Sequence, residues 1–282
     1  MLRSMAHLPL ALLVGILQGL IEWLPVSSKT MNLLVLAGAG MPISQAYAIG
    51  LIANFGSFFA ALYYFRREAL AVLRGLLHPF GSGQDAQLFR FVFLATLATG
   101  IVGIPIYEAA KHLLSVTGGS LAMLAVGLLL LLTAWLSARK ERLVRAGGAG
   151  RQGIPASWPS ALVGGLQGLA ALPGMSRSGV TVTPLLAMGY SAAEALRLSF
   201  MLDVVALLGA AGVPLLSHGG VRAVHALGVG DTVLMLLVAA VVSFLTIGAV
   251  LRIASRLRTS VATLIIALIT LAVAVVGLSA IR

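Results

Sequence analysis

The chain has 282 residues, 60% of them hydrophobic and only 10% charged, with a mean hydropathy of +1.05 and no cysteine. A soluble domain of this size carries about 25% charge, so the composition excludes a water-soluble enzyme, and the missing cysteine excludes disulfide and thiolate–metal chemistry. The net charge of +11 does not point to nucleic acid, because the basic residues mostly stand just outside apolar runs, where they report topology. The fold class that follows is an all-α polytopic membrane protein, its 32 glycines suited to close helix packing in lipid.

The first apolar region runs from 8 to about 40 and is broken at "LPVSSKT" (24–30). No cleavable signal peptide is expected there, because the apolar run leads into the polar break without a small-residue cleavage site. Runs at 46–65, 88–107 and 119–137 follow, each close to the roughly 20 residues that a bilayer crossing takes. The stretch 138–157, rich in Arg and Gly, reads as a linker. A second broken region, 158–190, is interrupted at "LPGMSRSGVT" (172–181), and runs at 197–216, 232–251 and 261–281 come after it. Each half of a broken region has only about 10 to 16 residues, too short to span but right for a half-helix that enters the membrane and turns back.

The two broken regions resemble each other. "GILQGLIEWLPVSS" (15–28) aligns with "GGLQGLAALPGMSRS" (164–178), pairing Gln18 with Gln167 and, after a small shift, Pro25 with Pro173. The expected organisation is therefore a first repeat at 1–137, a cytoplasmic linker at 138–157 and a second repeat at 158–282. Each repeat has one re-entrant hairpin and three transmembrane helices, six crossings in all. An odd number of crossings per half inverts the second half, an architecture that places its site where the broken helices meet near the midplane. One face collects Arg66, Arg67, Arg74, Arg90, Arg139, Lys140, Arg142, Arg145, Arg151, Arg197, Arg252, Arg256 and Arg258, the other only Arg3, Lys111, Arg222 and Arg282. The positive-inside rule puts the larger set in the cytoplasm and both termini on the outer face.

Gln18 and Glu22 are four apart and share a helical face. A carboxylate at membrane depth is costly, by about 2.5–3.5 kcal/mol on insertion scales, and ordinarily faces an interior cavity. Helix packing alone is the plainer role for Glu22; against it stands the company of Ser27, Ser28, Lys29 and Thr30 just after Pro25. The second break adds Ser176, Arg177, Ser178 and Thr181, with Gly174 and Gly179 allowing a tight turn that exposes backbone N–H groups. Free amides at a helix N-terminus, hydroxyls and an arginine make an anion site that suits phosphate. Arg177 either grips two phosphoryl oxygens, as lysine cannot, or pairs with Glu22, and both hold if the resting site pairs its own charges. The set reads as machinery for phosphoryl transfer, or as a carrier of a phosphorylated substrate that is not cut.

"QGLIEWLPVSS" and "LPGMSRSGVT" resemble the two signature motifs of the undecaprenyl-pyrophosphate phosphatase family, the bacitracin-resistance membrane phosphatases. The likeness extends to "NFGSFFAALYYFRR" (54–67) and "SAAEALRLSFML" (191–202), and so covers most of the chain. It implies hydrolysis of a polyprenyl diphosphate to the monophosphate at the outer face of a bacterial inner membrane. The lipid carrier is thereby recycled for peptidoglycan synthesis, with Mg²⁺ or Ca²⁺ as cofactor. The resemblance makes Glu22 the acid/base or metal-linked carboxylate, Gln18 its partner and Ser28 the nucleophile beside Ser27. Arg177 would stabilise pyrophosphate charge, with Gln18, Ser27, Lys29, Gly174, Ser176, Ser178 and Thr181 binding substrate. A serine hydroxyl needs a neighbouring base, and Glu22 is the acid in its knot. No nucleic-acid partner is implied, and the oligomeric state is open, a homodimer included.

One departure stands out: the family histidine falls on Met31, which cannot transfer a proton. None of the five histidines lies in a spanning run. Lys29 can supply charge there, but lysine ordinarily holds its proton at neutral pH, so the departure bears on hydrolysis more than on binding. It gives weight to a transporter or flippase of phosphorylated lipid built on the same frame. Asp203 is read either as a second carboxylate for a metal or as a partner of Arg197, and Glu194 as an interfacial residue.

Overall fold

A computed structural model of the chain describes residues 2–23, 27–116, 119–146 and 151–253, and, beyond them, 264, 268, 271 and 272. Among the described residues the regular elements are helices, with one isolated backbone bridge between Arg151 and Tyr190. The first hairpin consists of α1 (Leu2–Ile21) and α2 (Ser28–Gly38), and α3 (Ile43–Ile52) and α4 (Asn54–Tyr64) then run on as one apolar stretch. Next come α5 (Arg66–Leu77), α6 (Gln84–Val116) and α7 (Gly119–Ala146). The second hairpin is α8 (Ser157–Gly168), a 3₁₀ turn (Leu169–Ala171) and α9 (Arg177–Ala187). It is followed by α10 (Ala192–Leu215), α11 (His218–Leu227) and α12 (Val229–Ile253).

Among the described residues, four stretches are long and apolar enough to cross a membrane: Ile43–Tyr64, Gln84–His112, Ala193–Leu215 and Val229–Ala249. These match the expected runs at 46–65, 88–107, 197–216 and 232–251. The run at 119–137 is helical throughout, within α7, and Leu124–Leu136 is an apolar stretch of it. Most of the expected run at 261–281, the Pro25 turn and part of the linker lie outside the described residues. Both breaks are present as helix ends: α2 restarts at Ser28 and α9 at Arg177. The spacing did not single out α5 or α11, short helices with polar and apolar faces that follow a span in each half. In α5, Leu70, Leu73, Leu76 and Leu77 stay exposed beside Arg66, Arg67 and Arg74.

Local chemistry accounts for the helix starts. At α10, Ser191 accepts from the Glu194 N–H at 3.3 Å, the serine-to-glutamate spacing of a capping box. At α11, Ser217 accepts from the Gly220 N–H at 3.1 Å. Glu194 is buried, not merely interfacial, because it takes Arg197 at 3.1 Å and the Gly153 N–H at 3.3 Å.

Each hairpin packs its first arm on a helix of the other half, α1 along α12 and α8 along α6. In lipid, helix association rests on close packing and not on water exclusion. Gly15 and Gly19 of α1 lie against the α12 backbone at Met235 and Ser243, and Gly164 and Gly168 of α8 against Ala95 and Val102–Gly103 of α6. A Cβ at Gly164 would run into the Ala95 backbone. Threonines stitch both crossings: Thr246 donates to Gly19 O at 3.0 Å and Thr99 to Gly164 O at 2.9 Å. The glycines thus bring the two breaks together between two buried clusters, one around Trp23, Phe91 and Phe200, the other around Leu33, Tyr47 and Met235.

Candidate functional site

The ends of both hairpins meet at a cavity of about 370 Å³. Its polar end is lined by Glu22, Ser27, Ser28, Lys29, Ser176, Arg177 and Ser178, all among the residues expected from the sequence. The rest of the wall is mostly apolar and comes largely from α6 and α10, through residues such as Ile104, Val205, Leu208 and Val213.

Glu22 organises the site. Its Oε2 accepts from Ser28 Oγ at 2.5 Å and from Gln18 Nε2 at 2.6 Å, while Oε1 faces Arg177 Nη2 in an ion pair. Arg177 Nε lies 2.9 Å from Asp203 Oδ1, so one guanidinium bridges two buried carboxylates. Asp203 therefore pairs with Arg177 and not with Arg197, which reaches Glu194 and Glu68 instead, and Asp203 does not line the cavity. A charge removed from water needs such a partner, because breaking a buried pair strands the other member.

Gln18, Gly174 and Thr181 were expected to contact substrate, but none of them lines the cavity. Gln18 is fully buried behind Glu22. Its amide nitrogen donates to Asn54 at 3.1 Å and Ser57 at 3.3 Å as well as to Glu22, and its oxygen accepts from Asn32 at 2.9 Å. Thr181 donates to Arg177 O at 2.9 Å and meets Ser199 at 2.6 Å, so it braces the first turn of α9. Gly174 forms the turn itself. Its φ of 95° is left-handed, and a Cβ there would lie 2.6 Å from Leu129 Cβ.

The two breaks are tied to each other and to α7. Gly174 N–H donates to Thr30 Oγ1 at 2.6 Å, Lys29 Nζ to Met175 O at 2.7 Å, and Thr133 Oγ1 to Gly174 O at 2.6 Å. Neither Ser27 nor Ser176 caps its own helix through its side chain; they contact Thr30 and Ser178 instead. The starts of α2 and α9 thus bring their positive dipole ends to one cavity. Met31 is half-buried and not a lining residue, whereas Lys29 is, so charge at this place comes from the lysine.

Sequence reasoning passed over Asn32, Asn54, Ser57, Thr133, Ser199 and Ser243, the last donating to Ser57 at 2.8 Å. The signal was available: amides and hydroxyls inside apolar helices face the bundle interior by default. Which of them would meet was not.

For a metal, Glu22 is the lining carboxylate, and among the described residues no group of three His, Cys, Asp or Glu side chains could form a cage. That donor set suits Mg²⁺, which is commonly held by one or two carboxylates together with substrate phosphates.

Over residues 11–276 the chain matches the family described as "Bacitracin resistance protein BacA". It is 37% identical over 256 residues to the "Undecaprenyl-diphosphatase" of Saccharolobus islandicus (strain M.16.4 / Kamchatka #3), covering 89% of both chains. The protein of that name from Pyrobaculum islandicum is 38% identical over 268 residues, 94% of each chain. The one from Haloarcula marismortui is 38% identical over 247 residues, 86% of this chain and 88% of its own. By a match that takes in both hairpins, the cavity between them and nearly the whole length, the chain belongs to the bacitracin resistance protein BacA family.

Proposed function

We propose that the chain is an integral membrane phosphatase that hydrolyses undecaprenyl or a similar polyprenyl diphosphate to the monophosphate and phosphate. The observation that carries this reading is the 2.5 Å contact of Ser28 Oγ with Glu22 Oε2, beside Arg177, at the polar end of a largely apolar cavity. A nucleophile already bonded to a base is a catalytic arrangement, and a carrier has no use for it. Nothing in the site favours transport without hydrolysis.

The diphosphate places its terminal phosphoryl group at the starts of α2 and α9, with the prenyl chain leaving along the apolar wall between α6 and α10. Arg177 turns from Glu22 to the phosphoryl oxygens, and the freed carboxylate takes the Ser28 proton as Oγ attacks phosphorus. Prenyl monophosphate departs as an anion and needs no proton. The phosphoserine is then hydrolysed, Glu22 returning its proton to Ser28. Lys29 Nζ spends one N–H on Met175 O and can turn the others to the anion. Mg²⁺ or Ca²⁺ would be held by Glu22 and the diphosphate together, supplying charge stabilisation on the phosphoryl oxygens.

The finer architecture belongs to this reading too: repeats at 1–137 and 158–282, six crossings in inverted halves and both termini outside. Helix order supports it, since each half runs hairpin, span, short two-faced helix, span. Cysteine labelling should place the 138–157 linker inside and both termini outside, and a cytoplasmic C-terminus would overturn the count. The relatives include archaeal proteins, so what carries over is the chemistry of the diphosphate headgroup, with the bacterial inner membrane and peptidoglycan as one setting for it. The direct test is phosphate release by purified protein from C55 and C15 diphosphates, with and without divalent cation. Release is expected from both, and none from any prenyl diphosphate would end the hydrolase reading.

A further inference from the structure

Gln167 occupies in the second hairpin the place that Gln18 has in the first, yet its surroundings differ. Four residues on from Gln18 stands Glu22; four on from Gln167 stands Ala171. Gln18 has partners at both ends of its amide. Gln167 is 4% exposed and lines the cavity; its Nε2 donates to Thr99 Oγ1 at 3.1 Å, and its Oε1 has no partner.

The orientation of this amide follows from Thr99. Its hydroxyl lies 2.7 Å from Ala95 O and 2.9 Å from Gly164 O, both pure acceptors, so its hydrogen is committed there. Toward Gln167 the hydroxyl oxygen can therefore only accept. The NH₂ group must face Thr99, and the carbonyl oxygen is left buried and without a partner beside the cavity that Gln167 lines. An acceptor requires a donor. Phosphoryl oxygens are themselves acceptors, and the lining cations answer to the anion. The hydrolysis proposed above has a second reactant that donates, and that reactant is water.

We propose that Gln167 positions the hydrolytic water, its Oε1 accepting one O–H and leaving a lone pair of the water free for phosphorus. This rests on the phosphatase reading. In the second half-reaction the water oxygen bonds to the phosphorus of phospho-Ser28 and the P–Oγ bond breaks. Glu22 gives its proton to Oγ, and both water hydrogens leave on dihydrogen phosphate. A glutamine that orients attacking water serves the same end in GTP hydrolysis.

The test uses the full chain, farnesyl diphosphate and added methanol, which competes with water for the phosphoenzyme. Gln167→Met keeps the bulk and removes the acceptor. It should lower kcat about 10²-fold, the cost of a misplaced reactant, and lower KM with it, because slowing only the second half-reaction leaves kcat/KM unchanged. It should also raise the ratio of methyl phosphate to inorganic phosphate by about tenfold, since ordering of water drops out. Thr99→Val, which frees the amide to rotate, should shift the ratio in the same direction but less. A lowered unfolding midpoint with an unchanged ratio would make Gln167 a packing residue and overturn the proposal. So would a raised KM at unchanged kcat, which would assign the acceptor to a protonated phosphoryl group. If wild type releases phosphate and only the ratio fails to move, the phosphatase reading stands and this one falls. If wild type releases none, both fall.

Discussion

Replacing Glu22 with Gln should abolish phosphate release, by about 10³-fold or more, given that a positioned base and the nucleophile it activates act as one unit. The amide fills the same volume and can still accept from Ser28, but it cannot take the proton. Ser28→Ala should do the same for the complementary reason. Because Ser28 Oγ and Glu22 Oε2 are 2.5 Å apart, the double variant should be scarcely slower than either single one, as expected for residues that share one step. Binding of a non-hydrolysable methylene analogue of farnesyl diphosphate should persist in all three. Independent effects that multiply in the double variant would separate the two residues mechanistically and remove the nucleophile–base pair from the scheme.

The second large effect concerns Arg177, where charge and shape can be separated. Arg177→Lys retains the cation but cannot span Glu22 and Asp203 at once, nor grip two phosphoryl oxygens. Turnover should fall about 10²-fold, the usual cost of losing a preorganised donor to developing charge. Arg177→Ala should cost stability as well. Both carboxylates are buried, and removing the partner of a buried charge is destabilising by about 3–5 kcal/mol. A lower unfolding midpoint in detergent should reveal it, and Arg177→Ala combined with Asp203→Asn should recover part of the loss. Near-normal turnover in the lysine variant would make the arginine a structural clamp and leave the phosphoryl group to Lys29 and the helix starts.

Composition alone placed the chain in a membrane, because bilayer thickness sets a length and hydropathy that local sequence must meet. The breaks at Ser27–Ser28 and Ser176–Arg177 were legible for the same reason: half-length apolar runs beside Pro, Gly and hydroxyl residues cannot continue as one spanning helix. The pairing of Glu22 with Arg177 was within reach too, since two opposite charges buried in one bundle have few other partners. Asp203 shows where that reasoning stops. Six residues along α10 from Arg197, it was open to a local pairing. It lies instead against Arg177 on α9, while Arg197 takes Glu194 and Glu68. The spacing of Gln18 from Glu22 gave a shared helical face and the family resemblance a place at the substrate, but not that Asn32, Asn54 and Ser57 would surround it behind Glu22. Gln167 is the converse case. It was noted only as a repeat of Gln18, and a threonine 68 residues away takes its NH₂ group and leaves its carbonyl oxygen without a partner. Periodicity and composition are local and determined which residues are polar at membrane depth. Which of them meet was decided by glycines that let α1 close on α12 and α8 on α6, because only packing between distant helices brings such groups within hydrogen-bond reach.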